Sequence, residues 1–159
     1  MRCNRIQIIM PLSLTKNYLH ITFATKYREP LILKEVRKSL FAYIEGIVRN
    51  LNCPPIIVNG VSDHVHILCV LNKTMSMSEF VTKVKSNSSK WIKTQGEDYL
   101  NFAWQRGYGA FSVSRWDIEM IKNYIANQEQ HHSKEEFQKE YLDLLNENEI
   151  EYDEKYLWD

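Results

Sequence analysis

Two histidines separated by one residue, His64 and His66, are the side chains whose types and spacing most directly suggest chemistry. They lie in the alternating segment 62–70, which predicts a short β-strand with both imidazoles on one face and Val65 and Ile67 on the other. Neutral imidazole is a common ligand of divalent metals, so this pair supplies part of a metal site. A His-x-His pair alone is more often two solvated histidines on a polar strand face, and the metal interpretation therefore requires further ligands.

A tyrosine and an amide, Tyr124 and Gln128, lie four residues apart in a segment of helical spacing, residues 116–131. Four residues correspond to about one helical turn, which predicts that both side chains lie on one side of that helix, at the border of its isoleucine stripe. Gln128 then offers a carbonyl oxygen as a third ligand, with a phenol one turn away. A half-buried tyrosine with its hydroxyl in water is the alternative.

The elements that must position these residues follow the order strand, helix, strand, strand, helix, strand. Their hydrophobic patterns cover residues 18–25, 34–51, 56–61, 62–70, 76–94 and 102–114. This order predicts an α+β fold, the ferredoxin-like split βαβ arrangement (βαββαβ), in which helices back an antiparallel sheet. A third helix and a tail are added at the C-terminal end. Gly107 and Gly109 interrupt the last strand and indicate a bulge or a close backbone approach.

Two further polar residues adjoin the histidine pair. His20 faces away from the apolar side of the first strand, so it would share the sheet surface of His64 and His66 if the strands are adjacent. A hydrogen-bonded structural histidine is the interpretation we favour for it. Asp63 either orients His64 or caps the turn before the strand, and the sequence favours the turn.

Composition limits the class of protein. The 159 residues fit one domain, and no apolar run approaches the ~20 residues that a membrane-spanning helix needs. Three cysteines without a C-x-x-C spacing argue against a disulfide framework and against a cysteine zinc site, and they suit a reducing cytoplasm. Met10 looks like a natural start, so residues 1–9 are expected to be a disordered extension.

The zero net charge conceals an asymmetry. Residues 1–133 carry 17 Lys and Arg against 10 Asp and Glu, a balance of +7, whereas residues 134–159 carry 3 against 10, a balance of −7. A basic body favours a polyanionic partner. The acidic end is either a solvated flank or a mimic that shields the basic surface.

Basic, hydroxyl and aromatic side chains in three segments are candidates for contacts with nucleic acid, because phosphate contacts and base stacking need these residue types. A solvated basic face and core aromatics are the alternative. The candidates are Lys26, Arg28, Lys83, Lys85, Ser88, Lys90, Arg106 and Tyr108.

His64-Val65-His66, Tyr124-x-x-x-Gln128 and the ferredoxin-like order together resemble the single-tyrosine HUH transposases of bacterial insertion sequences and their REP-associated relatives. The resemblance runs from about residue 10 to residue 159 and includes Thr25-Lys26-Tyr27-Arg28, Trp104-Gln105 and Gly107-Tyr108-Gly109. It implies a catalytic domain over residues 10–132. It also implies that residues 133–159 form an acidic helix and tail packed on the same domain.

The resemblance also implies a mechanism. His64, His66 and Gln128 would bind one Mg²⁺ or Mn²⁺, and Tyr124 would attack a phosphate of single-stranded DNA to leave a 5′-phosphotyrosine link and a free 3′-OH. A phenol with a pKa near 10 needs such assistance, and imidazole ligands suit Mn²⁺ better than Mg²⁺. The covalent link conserves the phosphodiester energy, so no nucleotide cofactor is expected.

The implied partners are hairpin-containing ends of the element and a second copy of the chain, with the site built in cis or in trans. Two other functions stay open: a metal-dependent phosphodiesterase that uses water, and a domesticated relative that binds hairpin DNA without cutting it. His131 is a competing third ligand, and His132 is expected to be structural.

Overall fold

Four strands and four helices make up the part of the chain that the structure describes. The structure is a computed structural model, and it describes residues 13–130 and 134–158. In chain order the elements are β1 (Asn17–Ala24), α1 (Lys34–Asn50), β2 (Pro55–Gly60), β3 (His64–Leu71), α2 (Met77–Ile92), β4 (Gly109–Ser112), α3 (Ile118–Ala126) and α4 (Lys134–Glu147). Residues 1–9, His131 and His132 lie outside the described ranges.

The strands form one antiparallel sheet in the order β2-β3-β1-β4. This is the strand order of the split βαβ arrangement, so the predicted α+β fold class is confirmed. The histidine strand β3 lies inside the sheet, and its register with β1 pairs His66 with Thr22 and Leu68 with His20. The central position gives the backbone of β3 hydrogen-bonding partners on both sides, which holds the two histidines rigidly.

Helices α1 and α2 pack on one face of the sheet. Val65 and Ile67 of β3 are fully buried there, in a cluster with apolar side chains of β1 and of both helices. Because side chains alternate along a strand, His64 and His66 project from the opposite face, as the sequence predicts. The principal apolar core therefore lies on the side of the sheet away from the histidines.

Helices α3 and α4 are associated with the histidine face. Ile125 of α3 packs with Leu68 and Val113, and a second apolar cluster on α4 packs around Phe111 of β4. The α4 residues of that cluster are Phe137, Tyr141 and Leu145. These helices leave β3 buried on both faces over residues 64–69. Among the described residues, no helix is long and apolar enough to cross a membrane.

Two predicted elements are shorter than expected. The helix predicted over residues 116–131 is helical only over Ile118–Ala126, because the backbone leaves the helical conformation at Asn127 (φ −96°, ψ 15°), whose N–H makes the last bond to the carbonyl of Asn123. Short 3-10 turns flank it at Arg115–Asp117 and Gln128–Gln130.

The strand predicted over residues 102–114 is regular only over Gly109–Ser112, with a single bridge between Thr25 and Trp104 before it. Lys85 from α2 donates hydrogen bonds to the backbone carbonyls of residues 105–107. Those carbonyls therefore point toward α2 instead of toward a neighbouring strand, which interrupts the ladder.

Candidate active site on the histidine face

The imidazoles of His64 and His66 lie side by side under α3 and α4. Their ring centroids are 5.0 Å apart and their planes are nearly perpendicular, at 89°. Both side chains are completely buried, with exposed fractions of 1% and 0%. Two polar rings so deeply buried need hydrogen-bond partners or a bound ion, since an unpaired buried polar group is costly.

Gln128 is brought to the histidines by the turn after α3. Its Oε1 lies 3.0 Å from His64 Nε2, and its side chain is 1% exposed. The end of α3 is held against β2 by Asn59, whose side-chain amide donates to the carbonyl of Ile125 at 2.8 Å. One chain therefore assembles His64, His66 and Gln128, although Gln128 reaches the site from a 3-10 turn and not from the helix that the spacing predicts.

The donor atoms fit a divalent cation. His64 Nε2 faces the carbonyl oxygen of Gln128, and His66 Nε2 and Gln128 Nε2 are buried with no hydrogen-bond partner in the described part of the chain. A cation between these atoms would take the lone pairs of the two imidazole nitrogens and of the amide oxygen, in place of the contact between His64 and Gln128. Over residues 13–130 and 134–158, no group of three or more His, Cys, Asp or Glu side chains is arranged for a metal, so a metal beside the two histidines would need the amide oxygen of Gln128 as its third ligand.

The remaining ring nitrogens of the two histidines are held by other residues. His64 Nδ1 lies 2.8 Å from Oδ1 of Asp63, and His66 Nδ1 lies 2.9 Å from Nε2 of His20. Burial lowers the pKa of His20 to about 4 and that of His66 well below its ordinary value, so both rings are neutral at pH 7. The sequence favoured a turn cap for Asp63, whose carboxylate instead contacts His64 and Arg28, whereas the buried, hydrogen-bonded His20 agrees with the structural histidine that the sequence predicted.

Tyr124 completes the arrangement. Its ring lies edge-on to His66 and His20, with centroids 5.7 Å and 6.2 Å away. Its hydroxyl donates a hydrogen bond of 2.7 Å to Oε2 of Glu140 on α4. Burial, and then the hydrogen bond and charge of Glu140, raise the pKa of Tyr124 far above its ordinary value. In this conformation the side chain is a neutral phenol whose proton points toward α4.

Helix α4 closes the site. The Phe137 ring is stacked on the imidazole of His64, with centroids 3.7 Å apart and planes at 15°. The cleft beside Tyr124 is lined by three acidic side chains of α4, Glu140, Asp143 and Glu147. A phenyl ring therefore covers the imidazole of His64, and three carboxylates lie beside the phenol.

Three of the residues predicted to contact nucleic acid are engaged inside the protein instead. Arg28 is 3% exposed and pairs with Asp63 at 2.6 Å, so its prediction as a DNA contact is corrected: it is a structural ion-pair partner. Ser88 is buried, donates to the carbonyl of Val84 and accepts from the Trp104 indole. The Lys85 ammonium is occupied by three backbone carbonyls, and burial lowers its pKa to about 8.

Two other predicted contacts remain accessible and lie together. Lys26 and Arg106 line one groove with Tyr27 and Trp104, and the Tyr27 ring is 60% exposed. Tyr27 adopts a left-handed backbone conformation (φ 56°), which is uncommon for a residue with a side chain. Tyr27 was not among the predicted contacts. The adjoining aromatic and basic residue types at positions 26–28 are the sequence feature that could have indicated it.

The other three candidates are scattered. Lys83 pairs with Glu79 on the surface of α2, Lys90 is exposed near the end of that helix, and Tyr108 is half-buried with its ring 5.9 Å from the Lys85 ammonium. They do not join Lys26 and Arg106 in the groove.

The sequence model of the family described as "Transposase IS200 like" matches residues 13–128 of this chain. The chain belongs to the IS200-like transposase family. The match covers all four strands and the segment that carries His64, His66, Tyr124 and Gln128. The family is one of transposases of insertion sequences, so the chain is a protein of DNA transposition, and its resemblance to insertion-sequence transposases is confirmed.

Relatives of this IS200-like transposase agree with the assignment. The transposases of insertion sequence element IS200 from Salmonella typhimurium LT2 and from Salmonella typhi are each 30% identical over 114 residues, which cover 69% of this chain and 74% of each relative. A putative transposase from Deinococcus radiodurans R1 has a similar fold, with a TM-score of 0.59 and 22% identity over 80% of this chain and 98% of that one. A REP-associated tyrosine transposase bound to a REP hairpin superposes with a TM-score of 0.54 and 15% identity, over 74% of this chain and 70% of that one.

Proposed function

We propose that this IS200-like transposase cuts and rejoins single-stranded DNA at the ends of an insertion sequence through a covalent 5′-phosphotyrosine intermediate. The observation that supports this most is the meeting of His64 Nε2 with Gln128 Oε1 at 3.0 Å, beside the partnerless His66 Nε2 and the Tyr124 ring. Two imidazoles, an amide oxygen and a phenol from four separate positions of the chain converge on one spot. Their residue types are those that phosphoryl transfer to a tyrosine requires.

In this proposal His64, His66 and Gln128 hold one Mg²⁺ or Mn²⁺, which supplies Lewis-acid polarisation of the scissile phosphate when it is bound. The Tyr124 oxygen forms the new bond to phosphorus, the bond from phosphorus to the 3′-oxygen breaks, and that oxygen leaves as a 3′-OH. The phenol gives its proton to solvent as the new bond forms, and the departing 3′-oxygen takes up one proton from solvent, so that protons balance. Rejoining reverses these steps from the 3′-OH, so the reaction needs no nucleotide cofactor.

The groove beside Tyr27 is the proposed path of the single strand. Lys26 and Arg106 offer charges for phosphates, and the exposed Tyr27 ring, with Trp104 nearby, offers a surface on which an unpaired base stacks. A fold relative was solved with a REP hairpin, which supports a hairpin-containing substrate for this chain also.

Three organisational features belong to the same proposal. Residues 10–132 form the catalytic domain and residues 133–159 an acidic addition to it. The protein acts in the cytoplasm as a homodimer. The buried, unpaired thiols of Cys53 and Cys69 suit that reducing compartment.

The test is a covalent-adduct assay with hairpin DNA that carries a single-stranded flank. Wild type with Mn²⁺ is expected to give a protein–DNA adduct on a denaturing gel, Tyr124→Phe none, and Tyr43→Phe, which alters an exposed tyrosine on α1, the wild-type amount. Cleavage that survives Tyr124→Phe would support a phosphodiesterase that uses water. Binding without any cleavage would support a hairpin-binding module, and failure with both Mg²⁺ and Mn²⁺ would contradict the metal assignment.

A further inference from the structure

Both histidines of the proposed metal site are held in the same manner. In each ring the Nδ1 atom has a buried partner, Asp63 for His64 and His20 for His66. In each ring the Nε2 atom is the one that faces the site, toward Gln128 in His64 and without a partner in His66. Two rings on one strand thus direct the same nitrogen toward the proposed cation.

The Asp63 carboxylate is directed at His64 and not at the turn. Its Oδ1 accepts from His64 Nδ1 at 2.8 Å and its Oδ2 accepts from Arg28 at 2.6 Å, and all three side chains are almost fully buried. The turn is held separately, because the backbone carbonyl of Asp63 accepts from the backbone N–H of Thr25 at 2.8 Å. The side chain is therefore free to act on the imidazole.

His20 reaches His66 across the β1–β3 pair. It lies on the neighbouring strand, two residues along from the position paired with His66, on the same face of the sheet. Its ring stacks on His66 with centroids 5.1 Å apart, and it is 2% exposed. The contact is formed by two rigid strands, so it fixes the rotation of the His66 ring.

We propose that Asp63 and His20 are positioning residues for the metal site, which hold His64 and His66 as Nδ1–H tautomers so that both Nε2 lone pairs face the cation. A carboxylate accepts only, so it selects the Nδ1–H form of His64. The His20 ring accepts from His66 Nδ1–H in the same way. This inference rests on the proposed metal-dependent function and extends it to two residues outside the ligand set.

Two measurements test this. The tautomer of His66 in the metal-free wild type is read from the ¹⁵N shifts of the imidazole nitrogens, assigned with His64→Gln and His66→Gln variants. Mn²⁺ affinity is read from the free-ion signal in electron paramagnetic resonance. Asp63→Ala and His20→Leu are each expected to weaken Mn²⁺ binding about 10–100-fold, the usual range for such partners.

Conservative variants separate positioning from general loss of structure. His20→Gln and Asp63→Asn each retain an oxygen that accepts from the imidazole N–H, so their Mn²⁺ affinity should stay closer to wild type than that of His20→Leu and Asp63→Ala. Asp98→Ala, at an exposed position, is the matched control and should bind as wild type does. Thermal melting of each variant checks that it is folded.

The outcomes distinguish this inference from the proposed function. Wild-type Mn²⁺ affinity in folded Asp63→Ala and His20→Leu would overturn the positioning roles while leaving the metal site intact. An Nε2–H tautomer of His66 in the metal-free wild type would overturn the positioning role of His20. If the wild type itself bound no Mn²⁺, the proposed metal site would fail, and this inference with it.

Discussion

The Tyr124 hydroxyl donates a 2.7 Å hydrogen bond to the carboxylate of Glu140, sixteen positions later in the chain. The proposed nucleophile is thus bonded to the acidic helix that covers the site. The hydrogen bond and negative charge of Glu140 raise the pKa of Tyr124 beyond what burial alone does. This contact keeps the phenol protonated as long as α4 stays in place.

Glu140→Gln is expected to speed formation of the covalent adduct. An amide lacks the negative charge, so the pKa of Tyr124 falls, and each unit of that fall raises the phenolate fraction ~10-fold at neutral pH. Burial remains the larger cause of the raised pKa, so a rise of up to about tenfold in the initial rate is expected. Quenched-flow gels with Glu147→Gln as the charge-matched control measure it. A slower reaction would show that Glu140 accepts the phenolic proton during catalysis.

Arg28→Met is expected to destabilise the fold strongly. It leaves the Asp63 carboxylate buried without its cationic partner, and breaking a buried pair in this way costs about 3–5 kcal/mol. Arg49→Met is the matched control, because Arg49 pairs with Glu45 on the exposed surface of α1, where a pair contributes about 0.5 kcal/mol or less. Urea unfolding at neutral pH gives both values. If both variants lost the same small free energy of unfolding, the ion pair of Arg28 with Asp63 would stabilise the fold no more than an exposed pair does.

Stability is expected to fall in mild acid because of His20. Its pKa is about 4 in the folded protein and 6.5 when unfolded, so between these values the unfolded chain binds more protons. The contribution of His20 to the free energy of unfolding is therefore complete above pH 6.5, declines as the pH falls and is lost below the pKa of His20 in the folded protein. His20→Gln takes up no proton at this position, so it should lose about 2 kcal/mol less than wild type between about pH 7.5 and pH 5.

Urea unfolding curves of both proteins at the two pH values check this. His66, whose pKa is also lowered by burial, keeps His20→Gln partly acid-sensitive. Identical losses in the two proteins would show that His20 is protonated as readily in the folded state as in the unfolded chain.

Lys26→Ala and Arg106→Ala are expected to weaken binding of single-stranded DNA and to reduce its dependence on salt. Each phosphate contact removed lowers the slope of log Kobs against log salt by about 0.7. Lys93→Ala removes an exposed charge at the end of α2, away from the groove, and should leave the slope nearly unchanged. Fluorescence anisotropy at several salt concentrations measures these slopes. Equal slopes in all three variants would place the DNA path elsewhere.

The features that the sequence predicted correctly depend on local periodicity. Strand alternation is enough to put His64 and His66 on one face and Val65 and Ile67 on the other, whatever surrounds them. The order of strands and helices selects the sheet arrangement, because few topologies satisfy short, right-handed connections. The start of α2 is also determined locally, since the Ser76 hydroxyl accepts from the N–H of Glu79 as a helix cap does.

Spacing and the family resemblance pointed to Gln128, but the tertiary structure decided how it meets the histidines and which other side chains do so. Gln128 lies two residues beyond the end of α3 and 64 positions from His64, and only the packing of that turn on β2 sets its approach. Arg28 looked like a surface cation, yet a left-handed backbone (φ 54°) turns it inward to Asp63, 35 positions away. Phe137, whose ring stacks on His64, is also distant from that histidine in the sequence. Periodicity describes the face that a residue occupies, whereas partners this distant in the chain are chosen by the folded packing of whole elements.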